Sequence, residues 1–162
     1  VISLGGIAAS RSIKVGGDAF DESIVNHMKK AHNLLIGKNT AEDIKIKIGS
    51  VSSYDGEGAM DVKGRNLTDG LPKSVEITSA EIRDVLAEPV SKIIAAIKET
   101  LEVTLPELAA DIIDRGIYLA GGSSQLRGLP ELISKETKMQ VHIPEKPLDC
   151  VALGTSIKLR RA

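Results

Sequence analysis

Two short stretches carry residue types that can hold a small molecule. The first is Gly121-Gly122-Ser123-Ser124, which follows directly on the apolar run Ile117-Tyr118-Leu119-Ala120. A glycine pair at the end of a strand lets a ligand approach the backbone closely, and free N–H groups there can meet a phosphate or a nucleoside. No Gly-Lys-Ser/Thr follows, so the run is not a P-loop, and its spacing is not GxGxxG. Taken alone it reads first as a tight turn, with ligand binding as the second reading. The other stretch holds Glu42 and Lys45. On a helix these two share a face at i and i+3. The carboxylate can then accept from ribose hydroxyls, and the lysine stem can flank an apolar ring. Taken alone, the pair reads as a solvated surface pair.

Other chemically capable residues read as structural. Asp18, Asp21 and Glu22 are three carboxylates close in sequence, but they fit the acidic first turn of a helix better than a cation site. His27, His32 and His142 have no carboxylate or nucleophile partner visible in the spacing, and each reads as structural or exposed. Three histidines and one cysteine so placed match no zinc-ligand pattern, so no metal site is expected. Cys150, beside Val151 and Ala152 on a predicted helix, reads as a buried inert thiol. No Ser–His–Asp set is visible in the spacing, and no catalytic residue is assigned.

The elements that must position these residues follow from periodicity and punctuation. Val1 to Ile7 reads as a strand broken at Gly5-Gly6, and Ile13-Lys14-Val15 as a second strand, with a hairpin over Ala8 to Ser12. Asp18 is a candidate N-cap for a helix carrying Phe20, Ile24, Met28, Ala31 and Leu35 and ended by Gly37. Residues 40–49 are ambiguous. Ile44, Ile46 and Ile48 alternate as in a strand, yet Thr40-Ala41-Glu42-Asp43 is a capping-box start and Ile44 and Ile48 share a helix face. Short strands are expected at Val51–Tyr54, Ala59–Lys63 and Ser74–Ile77, with a turn at Arg65–Gly70. Thr78-Ser79-Ala80-Glu81 is a second capping box, opening a short helix to about Leu86. Pro89 fits the start of a new helix with Val90, Ile93, Ile94, Ile97 and Leu101 as its stripe. Pro106 opens a further helix with Leu108, Ala109, Ile112 and Ile113 inward. Ile117–Ala120 reads as a strand covered on both faces, followed by a helix near Pro130–Thr137 and a strand at Val141–Ile143. A last helix runs from Asp149 to about Leu159, with Gly154 at a close contact; Arg160-Arg161 then suits the helix dipole.

Composition narrows the function classes. The chain has 162 residues, 42% hydrophobic and 27% charged, enough for an ordinary domain core without disulfides. Its net charge is −1, so no basic field exists to hold nucleic acid. Aromatics are 2%, which argues against base stacking. The single cysteine fits a reducing compartment. No run reaches transmembrane length, and no signal peptide is recognised. The first residue is Val1, inside a predicted strand, so the chain is expected to be a piece of a longer one. Strands mixed with helices argue for a layered α/β fold.

At the glycine turn the sequence becomes specific. The run from Ala109 through Asp114-Arg115-Gly116-Ile117-Tyr118-Leu119-Ala120-Gly121-Gly122-Ser123-Ser124-Gln125-Leu126-Arg127-Gly128-Leu129 resembles the second adenosine motif of MreB/Mbl proteins, the bacterial actin homologues. Val15-Gly16-Gly17-Asp18-Ala19-Phe20-Asp21-Glu22, Ile36-Gly37-Lys38-Asn39-Thr40-Ala41-Glu42, Ile44-Lys45, Gly70-Leu71-Pro72-Lys73 and Val151-Ala152-Leu153-Gly154-Thr155 match in the same order. The likeness covers essentially the whole chain.

The resemblance implies an actin-like ATPase (ribonuclease H-like) C-terminal lobe, an α/β fold with a central sheet flanked by helices. Residues 1–17 and 89–162 would form the core subdomain, and residues 18–88 a smaller inserted α+β subdomain. Residues 40–49 would be helical. Glu42 and Lys45 would flank the ribose and adenine of ATP or ADP, and Gly121, Gly122, Ser123 and Ser124 would line the nucleotide from the other side. Ala120 and Ser123 depart from the family's usual threonine before three glycines. Magnesium, the catalytic groups and both phosphate loops are expected outside this chain, which by itself is then expected not to hydrolyse ATP. The parent would polymerise with itself at the inner face of the cytoplasmic membrane, engage the cell-wall synthesis machinery and set rod shape. An Hsp70-like chaperone or sugar kinase lobe, and a truncated interaction module, are the alternatives.

Overall fold

The computed structural model describes residues 1–159; Arg160-Arg161 lie outside the described residues. The chain divides into two units. One comprises Lys14–Ile93 with Leu126–Gly128, here the inserted unit; the other, the core unit, comprises Val1–Ile13, Ile94–Gln125 and the residues from Leu129 onwards. In chain order the elements are β1 (Ile2–Ser3), β2 (Gly6–Ile7), α1 (Gly17–His32), β3 (Leu34–Leu35), α2 (Lys38–Ile48), β4 (Ala59–Asn66), β5 (Pro72–Thr78), α3 (Ser79–Glu102), α4 (Pro106–Arg115), β6 (Ile117–Tyr118), a 3-10 turn (Gly122–Gln125), α5 (Leu129–Thr137), β7 (Val141–His142) and α6 (Cys150–Leu159).

In the inserted unit, helical spacing brings Phe20, Ile24 and Met28 of α1 to one side, and none of the three is exposed. The helix is capped by Gly16 with no side-chain bond, so Asp18 is a first-turn residue and not the N-cap. It also stops before Gly37. Asn33 takes a left-handed conformation (φ 52°) and donates its N–H to the Met28 carbonyl. That frees Leu34 and Leu35 to pair with β4 as a strand.

The ambiguity over residues 40–49 resolves as helix. Ala41, Ile44 and Ile48 of α2 are buried while Ile46 is 62% exposed, the reverse of what a strand face through all three isoleucines requires. The helix starts at Lys38 behind Gly37, ahead of Thr40, so the expected capping box does not form there. β3, β4 and β5 make an antiparallel sheet in that order, registered from Ala59 opposite Thr78 to Arg65 opposite Pro72. The strand expected at Val51–Tyr54 is absent; one isolated bridge, Ser50 with Arg127, stands in its place.

The second capping signal is used. Thr78 Oγ1 accepts the Glu81 N–H at 3.2 Å at the start of α3. The two helices expected on either side of Pro89 are one, with the proline inside. A proline costs one helical hydrogen bond, but Ile82, Leu86, Val90 and Ile94 are buried at steps of four and keep one stripe going across it.

In the core unit, β1 and β2 form a hairpin tighter than expected. Its turn is Leu4-Gly5, both at positive φ (51° and 77°), and no strand forms at Ile13–Val15. α4 begins with Pro106 in its first turn as expected. None of its residues is buried, however, and Ile113, expected inward, is 60% exposed. β6 pairs in parallel with β7, but Tyr118 is 70% exposed, so this strand is not covered on both faces. α5 buries Leu129 and Ile133. Gly154 of α6 has no close neighbour where a Cβ would stand, and Cys150 is half-buried, its Sγ 3.3 Å from the Lys146 carbonyl oxygen. Among the described residues no helix is long and apolar enough to cross a membrane.

Candidate functional site

The six residues singled out for nucleotide binding fall into two sets, Glu42 and Lys45 in the inserted unit and Gly121 to Ser124 in the core unit.

α2 is anchored through Ala41, Ile44 and Ile48. Those positions fix which way the intervening residues face. Glu42 is exposed and makes no ion pair among the described residues. Its oxygens are open to a hydroxyl donor. Lys45 is less free. Its Nζ stands 2.7 Å from Asp21 Oδ1 and 3.5 Å from the Gly17 carbonyl, and the two side chains are only 15% and 9% exposed. The contact is ionic in character, and no aligned hydrogen bond reaches that oxygen among the described residues. Lys45 thus ties the N-terminal part of α1 to α2 through its charge and leaves its methylene stem as the part able to flank a ring. The sequence suggests an acidic first turn of Asp18, Asp21 and Glu22, but only Asp18 lies in it. The partner of Asp21 is not visible in the spacing, because Lys45 is remote in sequence and only the packing of α1 on α2 brings the two together. Asp18 and Glu22 stay exposed, so the three acids do not converge.

The glycine run is built differently. Gly121 has φ +86°, a conformation glycine adopts without cost. Its N–H donates to the Pro147 carbonyl at 2.7 Å. The Gly121 carbonyl then accepts from Ser124 twice, from the N–H at 3.2 Å and from Oγ at 2.6 Å. Ser124 is 3% exposed and closes the turn. Gly122 and Ser123 open the 3-10 turn, where the first N–H groups have no internal acceptor. Gly122 is exposed and Ser123 half-buried. The turn therefore offers backbone donors and one hydroxyl, that of Ser123, which makes no hydrogen bond among the described residues, with no carboxylate among its four residues.

Just beyond it, Leu126, Arg127 and Gly128 belong to the inserted unit. The Val51 N–H donates to the Arg127 carbonyl at 2.9 Å, the Arg127 guanidinium donates to the Gly49 carbonyl at 3.3 Å, and it lies 5.3 Å from the Tyr54 ring centroid. These contacts hold the segment after the turn against the end of α2. Nothing in the local spacing of Arg127 announces them.

The model of the MreB/Mbl protein family matches residues 1–162. The chain belongs to the MreB/Mbl family. It is 46% identical over 159 residues to the cell shape-determining protein Mbl of Bacillus subtilis (strain 168), covering 98% of this chain and 48% of that protein. It is 45% identical over 154 residues to the cell shape-determining protein MreB of Escherichia coli (strain K12), covering 95% of this chain and 44% of that one. The chain thus spans about half the length of the curated relatives it matches. Among solved structures, MreB5 of Spiroplasma citri bound to ADP superposes with a TM-score of 0.92 at 42% identity, over 96% of this chain and 47% of the other. The MamK double helical filament superposes with a TM-score of 0.66 at 21% identity, over 82% and 41%, a likeness of fold alone. The actin-like α/β fold of the MreB family is therefore that of this chain, and the chaperone and sugar kinase alternatives fall away.

Proposed function

We propose that this chain supplies the adenosine-binding lobe of a filament-forming, cell-shape-determining protein. The observation that carries the reading is the glycine turn. Gly121 is held at positive φ by Pro147 and Ser124, and the first amides of the 3-10 turn are left without internal acceptors, in a chain whose fold follows an ADP-bound MreB5 over nearly its whole length.

In this reading Glu42 accepts from the ribose hydroxyls. The stem of Lys45 flanks the adenine while its ammonium stays on Asp21. Gly121, Gly122 and Ser123 line the nucleoside with backbone and one hydroxyl, and Ser124 holds the turn in shape. One carboxylate without an ion pair among the described residues and a set of amides suit a nucleoside better than a magnesium ion, which prefers several oxygen ligands. Residues 1–17 with 89–162 and residues 18–88 are the two actin-type subdomains. A nucleotide with unequal contacts to two conformations shifts the balance between them, which is how binding would switch polymerisation. Self-association into filaments beneath the cytoplasmic membrane, with the cell-wall synthesis machinery as partner, completes the proposal.

Calorimetric titration of ATP and ADP into the chain tests it, alongside the Glu42→Ala variant. Both nucleotides should bind, and the variant should bind on the order of tenfold more weakly, the value of a hydrogen bond to a charged group. Equal affinities in the two proteins, with circular dichroism unchanged, would remove Glu42 from the site. An absence of heat with either nucleotide would sink the half-site on this chain.

A further inference from the structure

Two histidines on one helix meet a glutamate far along the chain at one point of the inserted unit. His27 and His32 lie on α1, and Glu81 lies in the first turn of α3. His27 Nε2 is 2.6 Å from Glu81 Oε1, and His32 Nε2 is 2.5 Å from the same oxygen. The three ligand atoms all fall within 4.8 Å of one another. The two rings meet edge to face with centroids 5.7 Å apart. The side chains are 26%, 22% and 26% exposed, so water and small ions reach them while the helices fix their stems.

We propose that His27, His32 and Glu81 form a binding site for a zinc-class divalent ion. Two imidazole nitrogens and one carboxylate oxygen are a donor set used for zinc, with a fourth position left to water. The same set discriminates against magnesium, which takes oxygen ligands almost alone. The site thus differs in chemistry from any ion that accompanies a nucleotide phosphate. Ligand atoms around a tetrahedral zinc stand roughly 3.3 Å apart, given metal–ligand distances near 2.0–2.1 Å. The two nitrogens must therefore draw back from the carboxylate by less than about an ångström, a movement that partly exposed side-chain tips can make.

The proton balance is simple. A neutral imidazole that donates from Nε2 to Glu81 must present the Nε2 lone pair to the metal, so its proton moves to Nδ1. An imidazolium in the same place gives its Nε2 proton to solvent. Lys73 reaches this end of α1 through backbone, its Nζ 3.4 Å from the His32 carbonyl. Once bound, the ion joins the end of α1 to the start of α3, a cross-link between helices otherwise joined at this point by hydrogen bonds to one carboxylate oxygen.

The test uses the whole chain after chelator treatment. Cobalt(II) is titrated in and its visible d–d absorption followed; zinc is then titrated against the cobalt form. One equivalent of cobalt should bind with the spectrum of a low-coordinate nitrogen and oxygen site, and zinc should displace it. His27→Gln, His32→Gln and Glu81→Gln should each weaken binding by at least on the order of tenfold. His142→Gln and Cys150→Ser, which alter the remaining histidine and the one thiol, should leave it unchanged. The wild-type titration stands whether or not a variant folds: absence of a cobalt spectrum and of zinc binding up to about 1 mM overturns the proposal. So does binding that survives in folded His27→Gln and His32→Gln or disappears in His142→Gln or Cys150→Ser.

Discussion

The inserted unit removes Phe20, Ile24, Met28, Leu34, Ile44, Ile77, Ile82 and Leu86 from water completely, using α1, α2, the three-stranded sheet and the start of α3. The core unit has apolar residues in comparable supply but covers few of them. Ile133 is fully buried and Leu129 nearly so, while Leu4, Val103, Ile113, Tyr118, Val151 and Leu159 stand between 60% and 106% exposed. Both units were written with the same helical and strand periodicities. The difference lies in whether the partner surface is present among the described residues. A stripe such as that of α4 states that a helix is meant to be covered; it does not state by what. The two sets proposed for nucleotide binding inherit this contrast. Glu42 and Lys45 ride on a helix anchored by three buried side chains, whereas the glycine turn is held by backbone hydrogen bonds and one serine.

Truncations in the two units should therefore differ most. Phe20→Ala deletes a ring that is 0% exposed and is expected to cost about 3–5 kcal/mol, the usual range for emptying such a position. Ile113→Ala, at a residue 60% exposed, should stay within about 0.5 kcal/mol. Urea unfolding followed by far-ultraviolet circular dichroism measures both. Comparable losses would break the comparison, because they would mean that Ile113 is covered in solution.

Helix starts give a second, smaller contrast. Thr78 caps α3 with its hydroxyl, so Thr78→Ala should cost about 1 kcal/mol. Leu105 stands at the N-cap of α4, makes no side-chain bond and is 64% exposed. Leu105→Ser supplies a missing acceptor there and should raise stability by up to about 1 kcal/mol. Thermal melts of the two variants should thus move in opposite directions. A stabilised Thr78→Ala would show that the cap is not formed.

How far these features were legible depends on how local they are. The helix at Phe20–Met28, the opening of α4 at Pro106 and the glycine turn between a strand and a helical segment all came from residues within one turn of each other. Boundaries set by a single unusual backbone conformation are less local: the apolar pattern runs on through Asn33 to Leu35, and Gly5 and Gly6 mark a break in the first strand without showing that the chain turns back there through Leu4-Gly5. Pro89 reads locally as a helix start, although the four-residue spacing from Ile82 to Ile94 carries one stripe across it. For residues 40–49 two periods competed, and the family resemblance, not the pattern, pointed to the helix that is found. Within the candidate site, the residue types were visible and the second partners were not. Asp21 with Lys45, Arg127 with Tyr54, and two histidines on Glu81 each join segments far apart in the chain, and charge or ring type alone does not pick such pairs.

Surface charge should show no such contrast between the units. In the inserted unit Arg83 pairs with Glu57, and its hydrogen bond, ahead of a smaller burial effect in the other direction, holds that carboxyl below its ordinary value of 4.5. In the core unit Lys98 Nζ is 2.6 Å from Glu136, and its hydrogen bond and then its charge do the same. A carboxyl whose pKa is depressed by folding adds stability above its unfolded value, and that stability is lost as the pH falls through the folded value. Arg83→Ala and Lys98→Ala should therefore each flatten the acid side of the stability profile below about pH 4.5, by similar small amounts, and both effects should fade in strong salt. Melting temperatures taken from neutral pH down to the acid limb decide it. A clearly larger flattening for Arg83→Ala would mean that the Glu57 pair is shielded from solvent in a way its partial exposure does not suggest. The contrast between the units would then extend from apolar cover to charge.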